Sequence, residues 1–143
     1  MTNENSNCIF CKIAKGEIPS VKIWEDEKVL AFLDIQPINP GHILVIPKKH
    51  AELVIDLDDE TLSCIIKVLK VLNKKVRQSA IKCEGINLFL ADGESAGQEV
   101  FHVHFHLIPR YKNDGFGFKF PKDYHKKPST EELNKIAKKI IGK

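Results

Sequence analysis

The chain has 143 residues, 43% of them apolar, 29% charged and 8% aromatic. That is the size of one domain, able to bury roughly 70% of its unfolded surface, so two ordinary domains, intrinsic disorder and collagen-like repeats are excluded. The net charge of 22 − 19 = +3 is too small to call for a nucleic-acid partner, and the excess sits in the tail: residues 111–143 hold nine lysines against four acids, while residues 1–110 hold 13 basic and 15 acidic side chains.

The opening residues 1–7 have no basic segment and no apolar stretch, so no secretory signal is expected. The longest apolar run, Val29 to Leu33, is five residues against the ~20 of a membrane span. A cytoplasmic location follows as the expectation, with thiols reduced and the four cysteines available for metal binding or packing. Cys8 to Ala14 reads as a short helix ended by Glu17-Ile18-Pro19. Val21 to Glu25 and Val29 to Ile35 read as strands joined by a turn at Asp26-Glu27. A loop containing Pro37, Asn39, Pro40 and Gly41 leads into a third strand, His42 to Pro47. From Asp58 or Asp59 to about Ser79 the period becomes helical, with Leu62, Ile65, Ile66, Leu69, Leu72 and Val76 on one stripe. Ile86 to Leu90 and Phe101 to Ile108 complete five strands. Ser129 and Glu132 make a capping box for a last helix, whose Leu133, Ile136, Ala137, Ile140 and Ile141 form an apolar face and which Gly142 stops. The expected class is α+β, a mostly antiparallel sheet of about five strands with one long helix and a C-terminal helix. It forms a single domain over 1–143, with a core at about 8–112 and an extension at 113–143.

Three of the six histidines fall within five residues, His102, His104 and His106. On a strand, alternation sends all three to one face and Phe101, Val103, Phe105 and Leu107 to the other. Three imidazoles in register would be costly if they were only buried. Same-face neighbours on a strand are ~6.7 Å apart and the outer pair ~13 Å. A single metal with ~2.0–2.1 Å bonds gathers at most two of them. The other chemistry open to such a row is nucleophilic attack on phosphorus, since imidazole with a pKa near 6.5 is mostly unprotonated at neutral pH. The Cys8-x-x-Cys11 pair puts two thiols on one helix face. It lacks the βαβ setting of a thioredoxin site, and a zinc site would need two further ligands, for which histidines are the candidates.

The run His102-Val103-His104-Phe105-His106-Leu107-Ile108 resembles the signature of the histidine triad (HIT) family. The segment Ala96-Gly97-Gln98-Glu99-Val100 resembles what precedes the triad there. Cys8-Ile9-Phe10-Cys11, Glu25 to Ile35 and Gly41 to His50 match in order. The resemblance implies the HIT fold and hydrolysis at the α-phosphate of purine nucleoside phosphoramidates or dinucleoside polyphosphates, through a covalent nucleotidyl-histidine.

It implies His104 as nucleophile and His106 as phosphate partner, with His102 and His42 beside them. Asp34 would bind the ribose. Phe10, Ile18, Phe32 and Ile35 would sandwich the base of an AMP or GMP moiety. Backbone N–H groups of Gln98, Glu99 and Val100 would hold phosphate charge. Zinc-bearing members imply Cys8, Cys11, His50 and His102 as a closed, structural zinc site. The family is usually a homodimer with one continuous sheet, and neither a membrane nor a nucleic-acid partner is expected.

Many members carry Asn where this chain has Ala91, and Ser where it has Glu99. An inward carboxylate would repel phosphate, so Glu99 is expected to face away. Cys64, Cys83 and His125 are expected to be ordinary residues. The alternative function is a nucleotide-binding adaptor without catalysis. The 33 residues beyond Arg110, with Phe116, Phe118 and Phe120, resemble the longer members of the family rather than the short Hint branch.

Overall fold

A computed structural model describes residues 6–142. The start of the N-terminal stretch read for a targeting signal therefore lies outside the described residues. Among these, no helix is long and apolar enough to cross a membrane.

Helix α1 spans Ile9–Ala14, and Cys8 caps it with its sulfur accepting from the Cys11 N–H. Strands β1, Lys22–Glu25, and β2, Val29–Leu33, follow. Asp26 closes their turn, one carboxylate oxygen accepting from the N–H groups of Lys28 and Val29 and the other from Trp24 Nε1–H. Next come β3, Ile43–Pro47, and the long helix α2, Asp59–Gln78, capped by Asp58 accepting from the Thr61 N–H. Then come β4, Gly85–Leu90, β5, Phe105–Arg110, and α3, Thr130–Ile141. The sheet is antiparallel throughout, in the order β1-β2-β3-β5-β4.

The central strands are covered on both faces, which explains their unbroken apolar runs. On one face, Val29, Ala31, Ile43, Val45 and Leu107 pack against Ile65, Leu69 and Leu72 of α2. On the other, Leu30, Phe32, Leu44 and Ile46 pack against Phe10, Cys11 and Ile13 of α1. Together these two layers hold α1 and the long helix on opposite sides of β2 and β3.

Two expectations need correction. The buried stripe of α2 is Thr61, Ile65, Val68, Leu69, Leu72 and Val76. Leu62 is only half-buried and Ile66 is 51% exposed, because these two flank the line of contact with the sheet. The second correction is β5, which starts at Phe105 rather than Phe101. Continuing the Val45↔Phe105 register would set Val103 against Pro47, which has no N–H to give. Val103 instead donates to the Ala51 carbonyl, and residues 101–104 leave the sheet. Helix α3 forms as expected, with its capping box and Gly142 stop, and its apolar face, Leu133, Ile136, Ile140 and Ile141, is exposed.

The root of the tail is fixed. Asp114 accepts from Arg110 Nε at 2.6 Å and Nη2 at 2.9 Å, and from Asn39 Nδ2 at 2.9 Å. Arg110 also donates to Asn87 on β4, and Asn39 to the Pro109 carbonyl. Hydrogen bonding to Arg110 first, and to Asn39 next, holds the Asp114 carboxyl far below the usual carboxylate range.

Candidate functional site

Because residues 101–104 leave the sheet, the three clustered histidines do not share one strand face. Only His106 lies on β5, opposite Leu44 of β3 and Phe89 of β4. His104 comes from the preceding loop, and its ring centre is 5.0 Å from that of His106. His102 is fully buried and turns instead toward α1.

Backbone groups dictate where each imidazole carries its proton. His102 Nε2–H donates to the Pro47 carbonyl at 2.8 Å, so its Nδ1 keeps a lone pair. His104 Nδ1–H donates to the His102 carbonyl at 2.7 Å, so its Nε2 keeps a lone pair. The Ile38 N–H donates to His42 Nδ1 at 3.1 Å, which leaves the His42 proton on Nε2. That proton is donated to His106 Nδ1 at 2.9 Å, which puts the His106 proton on Nε2. Burial keeps all four neutral. It lowers His102 to about 4, opposed by the bond to Pro47. It lowers His106 to about 4, helped by the neighbouring His104 and His42. His42 and His104 are lowered as well, against the opposing charge of Asp34.

Two groups result. Cys8, Cys11, His50 and His102 bring one donor atom each within 4.8 Å of one another. The His102 Nδ1 lone pair lies 3.4 Å from Cys8 Sγ, 3.6 Å from Cys11 Sγ and 3.2 Å from His50 Nδ1, with His50 Nδ1 3.3 Å from Cys11 Sγ. Bonds of ~2.0–2.1 Å to nitrogen and ~2.3 Å to sulfur make tetrahedral edges of about 3.3–3.8 Å. Two soft sulfurs and two imidazoles at that spacing, with the second nitrogen of His102 anchored on a carbonyl, can hold a metal ion.

The second group borders a hollow of about 330 Å³ lined by His104, His106, His42, Asp34, Glu99 and Phe89. Asp34, His42 and His106 also lie within 4.8 Å of one another. His42 already has its Nδ1 lone pair on Ile38 and a proton on Nε2, so His42 and His106 are a hydrogen-bonded pair beside the Asp34 charge and not a metal site. Asp34, half-buried at the end of β2, accepts from the Gln36 N–H at 2.9 Å and lies 3.6 Å from His42 Nε2.

The remaining candidates separate. Phe10 and Phe32 are 6% and 4% exposed and pack edge to face with centres 5.7 Å apart; Phe10 stands 5.0 Å from the His104 ring. Both are core side chains that back the triad. Ile18 is half-buried beside them, and Ile35 is 99% exposed. Gln98 is buried with its side chain spent: Oε1 accepts from Gly93 N–H, and Nε2 donates to the Glu52 and Val100 carbonyls. Its own N–H donates to the Gly93 carbonyl, so of the expected phosphate donors Glu99 and Val100 are those whose N–H has no backbone partner among the described residues. Glu99 does not face away. It lines the hollow, and its charge acts on His104. Ala91 is buried.

Phe89 of β4 belongs to the wall and was not anticipated; its ring meets His106 edge to face at 5.4 Å. Its signal is the β4–β5 register, which local pattern does not carry. The largest hollows lie elsewhere. One of about 550 Å³ runs between α2 and the edge strand β4, lined by Ile66, Leu69, Leu88 and Arg77 among others.

Residues 15–113 match the HIT domain family. Protein hit of Bacillus subtilis is 45% identical over 140 residues, covering 95% of this chain and 96% of that protein. An adenosine 5'-monophosphoramidase of Saccharomyces cerevisiae is 42% identical over 137 residues, covering 95% of this chain and 82% of that protein. The crystal structure of a HIT family protein from Bacillus anthracis matches with a TM-score of 0.87 at 44% identity, covering 96% of each chain. A Zn-bound histidine triad family protein from Mycobacterium smegmatis matches with a TM-score of 0.74 at 38% identity, covering 82% of this chain and 84% of that one.

Proposed function

The chain belongs to the HIT domain family, and from that premise we propose that it is a nucleotidyl hydrolase acting on purine nucleoside phosphoramidates or dinucleoside polyphosphates. The observation that carries this reading is the pair of tautomers at the hollow: a lone pair on His104 Nε2 beside a proton on His106 Nε2. The two rings supply a nucleophile and a hydrogen-bond donor for the phosphate without any prior proton transfer.

In the proposed reaction the His104 Nε2 lone pair bonds to the α-phosphorus as the bond to the leaving group breaks. The His106 Nε2–H donates a hydrogen bond to a phosphate oxygen, and His42 Nε2–H, bonded to His106 Nδ1, holds that ring in place. The leaving group departs with a proton from a water in the hollow, and the hydroxide so formed displaces the nucleotidyl group, freeing the nucleoside monophosphate and His104. As positive charge grows on the His104 ring, its Nδ1–H bond to the His102 carbonyl strengthens. Asp34, on the wall of the hollow, would accept from the ribose hydroxyls, and the exposed Ile35 with Ile18 would meet the base. The N–H groups of Glu99 and Val100 would hold phosphate oxygen.

We assign zinc to Cys8, Cys11, His50 and His102, the donor set and edge lengths fitting a closed tetrahedron. When bound there it pins α1 to the loop carrying His102 and so steadies the carbonyl that orients His104. We further propose a homodimer through β4, a sheet edge whose Leu88 is 52% exposed beside the exposed Ile66 of α2.

The test is turnover of an adenosine phosphoramidate and a diadenosine polyphosphate by the purified protein and by His104→Ala. Release of AMP from at least one of them, abolished in the variant, is expected. Mononucleotide binding without turnover of either would favour an adaptor.

A further inference from the structure

A feature of the hollow that the mechanism leaves unused is its charge. Two carboxylates, Asp34 and Glu99, border it, and no lysine or arginine does. Glu99 is exposed, and among the described residues its carboxylate has no ion-pair or hydrogen-bond partner. It also borders a second, adjoining hollow of about 390 Å³. Its walls include Ile9, Val100 and Phe101, another acid, Glu52, and Cys8 and His50 of the thiol–imidazole cluster, and again no lysine or arginine. His104, only 6% exposed, has no partner for Nε2 among the described residues and borders the first hollow beside Glu99.

A charge at this position interacts with whatever departs from the phosphorus. Unit charges a few ångströms apart in a partly exposed site interact strongly enough to bias which group departs, and the two carboxylates act in the same direction. A polyphosphate leaving group brings several negative charges into a region with no cation to receive them. An alkylamine bearing a distal ammonium brings the complementary charge and an aliphatic stem suited to Ile9, Val100 and Phe101.

We propose that Glu99 is a specificity-determining residue that selects nucleoside phosphoramidates of cationic amines and disfavours anionic leaving groups. This rests on reading the histidine hollow as a nucleotidyl-transfer site and names the leaving group that site takes. The bond broken is P–N, the bond formed is from His104 Nε2 to phosphorus, and the amine departs with a proton from water.

The experiment compares three adenosine 5'-phosphoramidates that differ only at the far end of the amine: those of 1,5-diaminopentane, pentylamine and 5-aminopentanoate. Five-carbon spacing keeps the reacting nitrogen nearly constant in basicity. Wild-type kcat/KM should fall in that order, by about tenfold or more from first to last, and the spread should shrink as salt is raised. In Glu99→Gln, which keeps shape and removes charge, the spread should contract several-fold, whatever happens to the common rate. Equal kcat/KM across the three in the wild type, or an undiminished spread in Glu99→Gln, overturns the assignment to Glu99 and leaves the hydrolase reading standing. Failure of the wild type to cleave any of the three while it still cleaves a diadenosine polyphosphate overturns the assignment alone; failure on all four removes both.

Discussion

His106 Nδ1 lies 2.9 Å from His42 Nε2, and the proton between them belongs to His42, because the Ile38 N–H occupies the other nitrogen of that ring. Which nitrogen of His106 presents its proton to the hollow is thus decided by His42, 64 positions away in sequence. His42→Phe keeps a ring of similar size and removes the donor. It should lower kcat about 10- to 100-fold, the range set by one lost buried hydrogen bond, with a smaller effect on KM. Steady-state kinetics on an adenosine phosphoramidate decides it, and a variant with wild-type kcat would show that His106 needs no such partner.

His104→Ala removes the attacking atom. Turnover should drop by at least about 10⁴, while the circular dichroism spectrum is retained. Trapping and mass spectrometry of the wild type should find one nucleotidyl group per chain on His104, and none in the variant.

Acid should destabilise the fold earlier than carboxylate titration alone would. His106 and His102 are held near 4 by burial, and His42 and His104 are lowered too, while an unfolded imidazole titrates near 6.5. Below pH 6.5 the unfolded chain binds protons that the folded chain refuses, so stability is full above about 6.5 and falls as pH drops toward about 4. The lowered carboxyls Asp26, Asp58 and Asp114 add their loss only below the ordinary carboxylate range. Denaturant midpoints measured from pH 8 to 4 should be flat at first and then decline. A midpoint unchanged between pH 6.5 and 5 contradicts the neutral-histidine arrangement.

If zinc occupies the Cys8, Cys11, His50 and His102 cluster, chelation or Cys11→Ser should lower both the melting temperature and turnover, since His102 supplies the carbonyl that orients His104. Metal content by mass spectrometry should approach one zinc per chain. Full melting temperature and full turnover after verified metal removal would separate the cluster from the reaction.

Leu88→Lys places a charge in the middle of the β4 edge. Light scattering after size exclusion should show the wild type as a dimer and the variant shifted to monomer. A monomeric wild type at micromolar concentration excludes this interface.

The parts of the fold that sequence pattern made legible are those whose cause is local. The two-sided burial of β2 and β3 is written in Val29 to Leu33 and Ile43 to Ile46, and the caps at Asp58 and Ser129 sit where side-chain chemistry requires. What escaped depends on register. The departure of residues 101–104 from the sheet follows from Pro47 standing opposite Val103, a pairing that no window on either segment reveals. The same holds for Phe89 beside His106, and for the use of Gln98 as a brace between the Gly93 turn and Glu52. The link of Asn39 to Asp114 spans 75 positions; only its Arg110–Asp114 half has helix-like spacing that a reader could have noticed.

The atoms that set the proton on His102, His104 and His42 are the Pro47 carbonyl, the His102 carbonyl and the Ile38 N–H, and all are main-chain atoms. Single-nucleotide changes rewrite side chains but leave such atoms in place, so the tautomers are sheltered from most drift. Residue 38 can exchange one apolar side chain for another, and residue 47 need only present its carbonyl. Proline at position 38, or an insertion or deletion between β3 and His50, would instead strike the arrangement directly. The tolerance of this site to mutation should therefore be lopsided: wide for substitutions around the histidines, and narrow for changes in chain length.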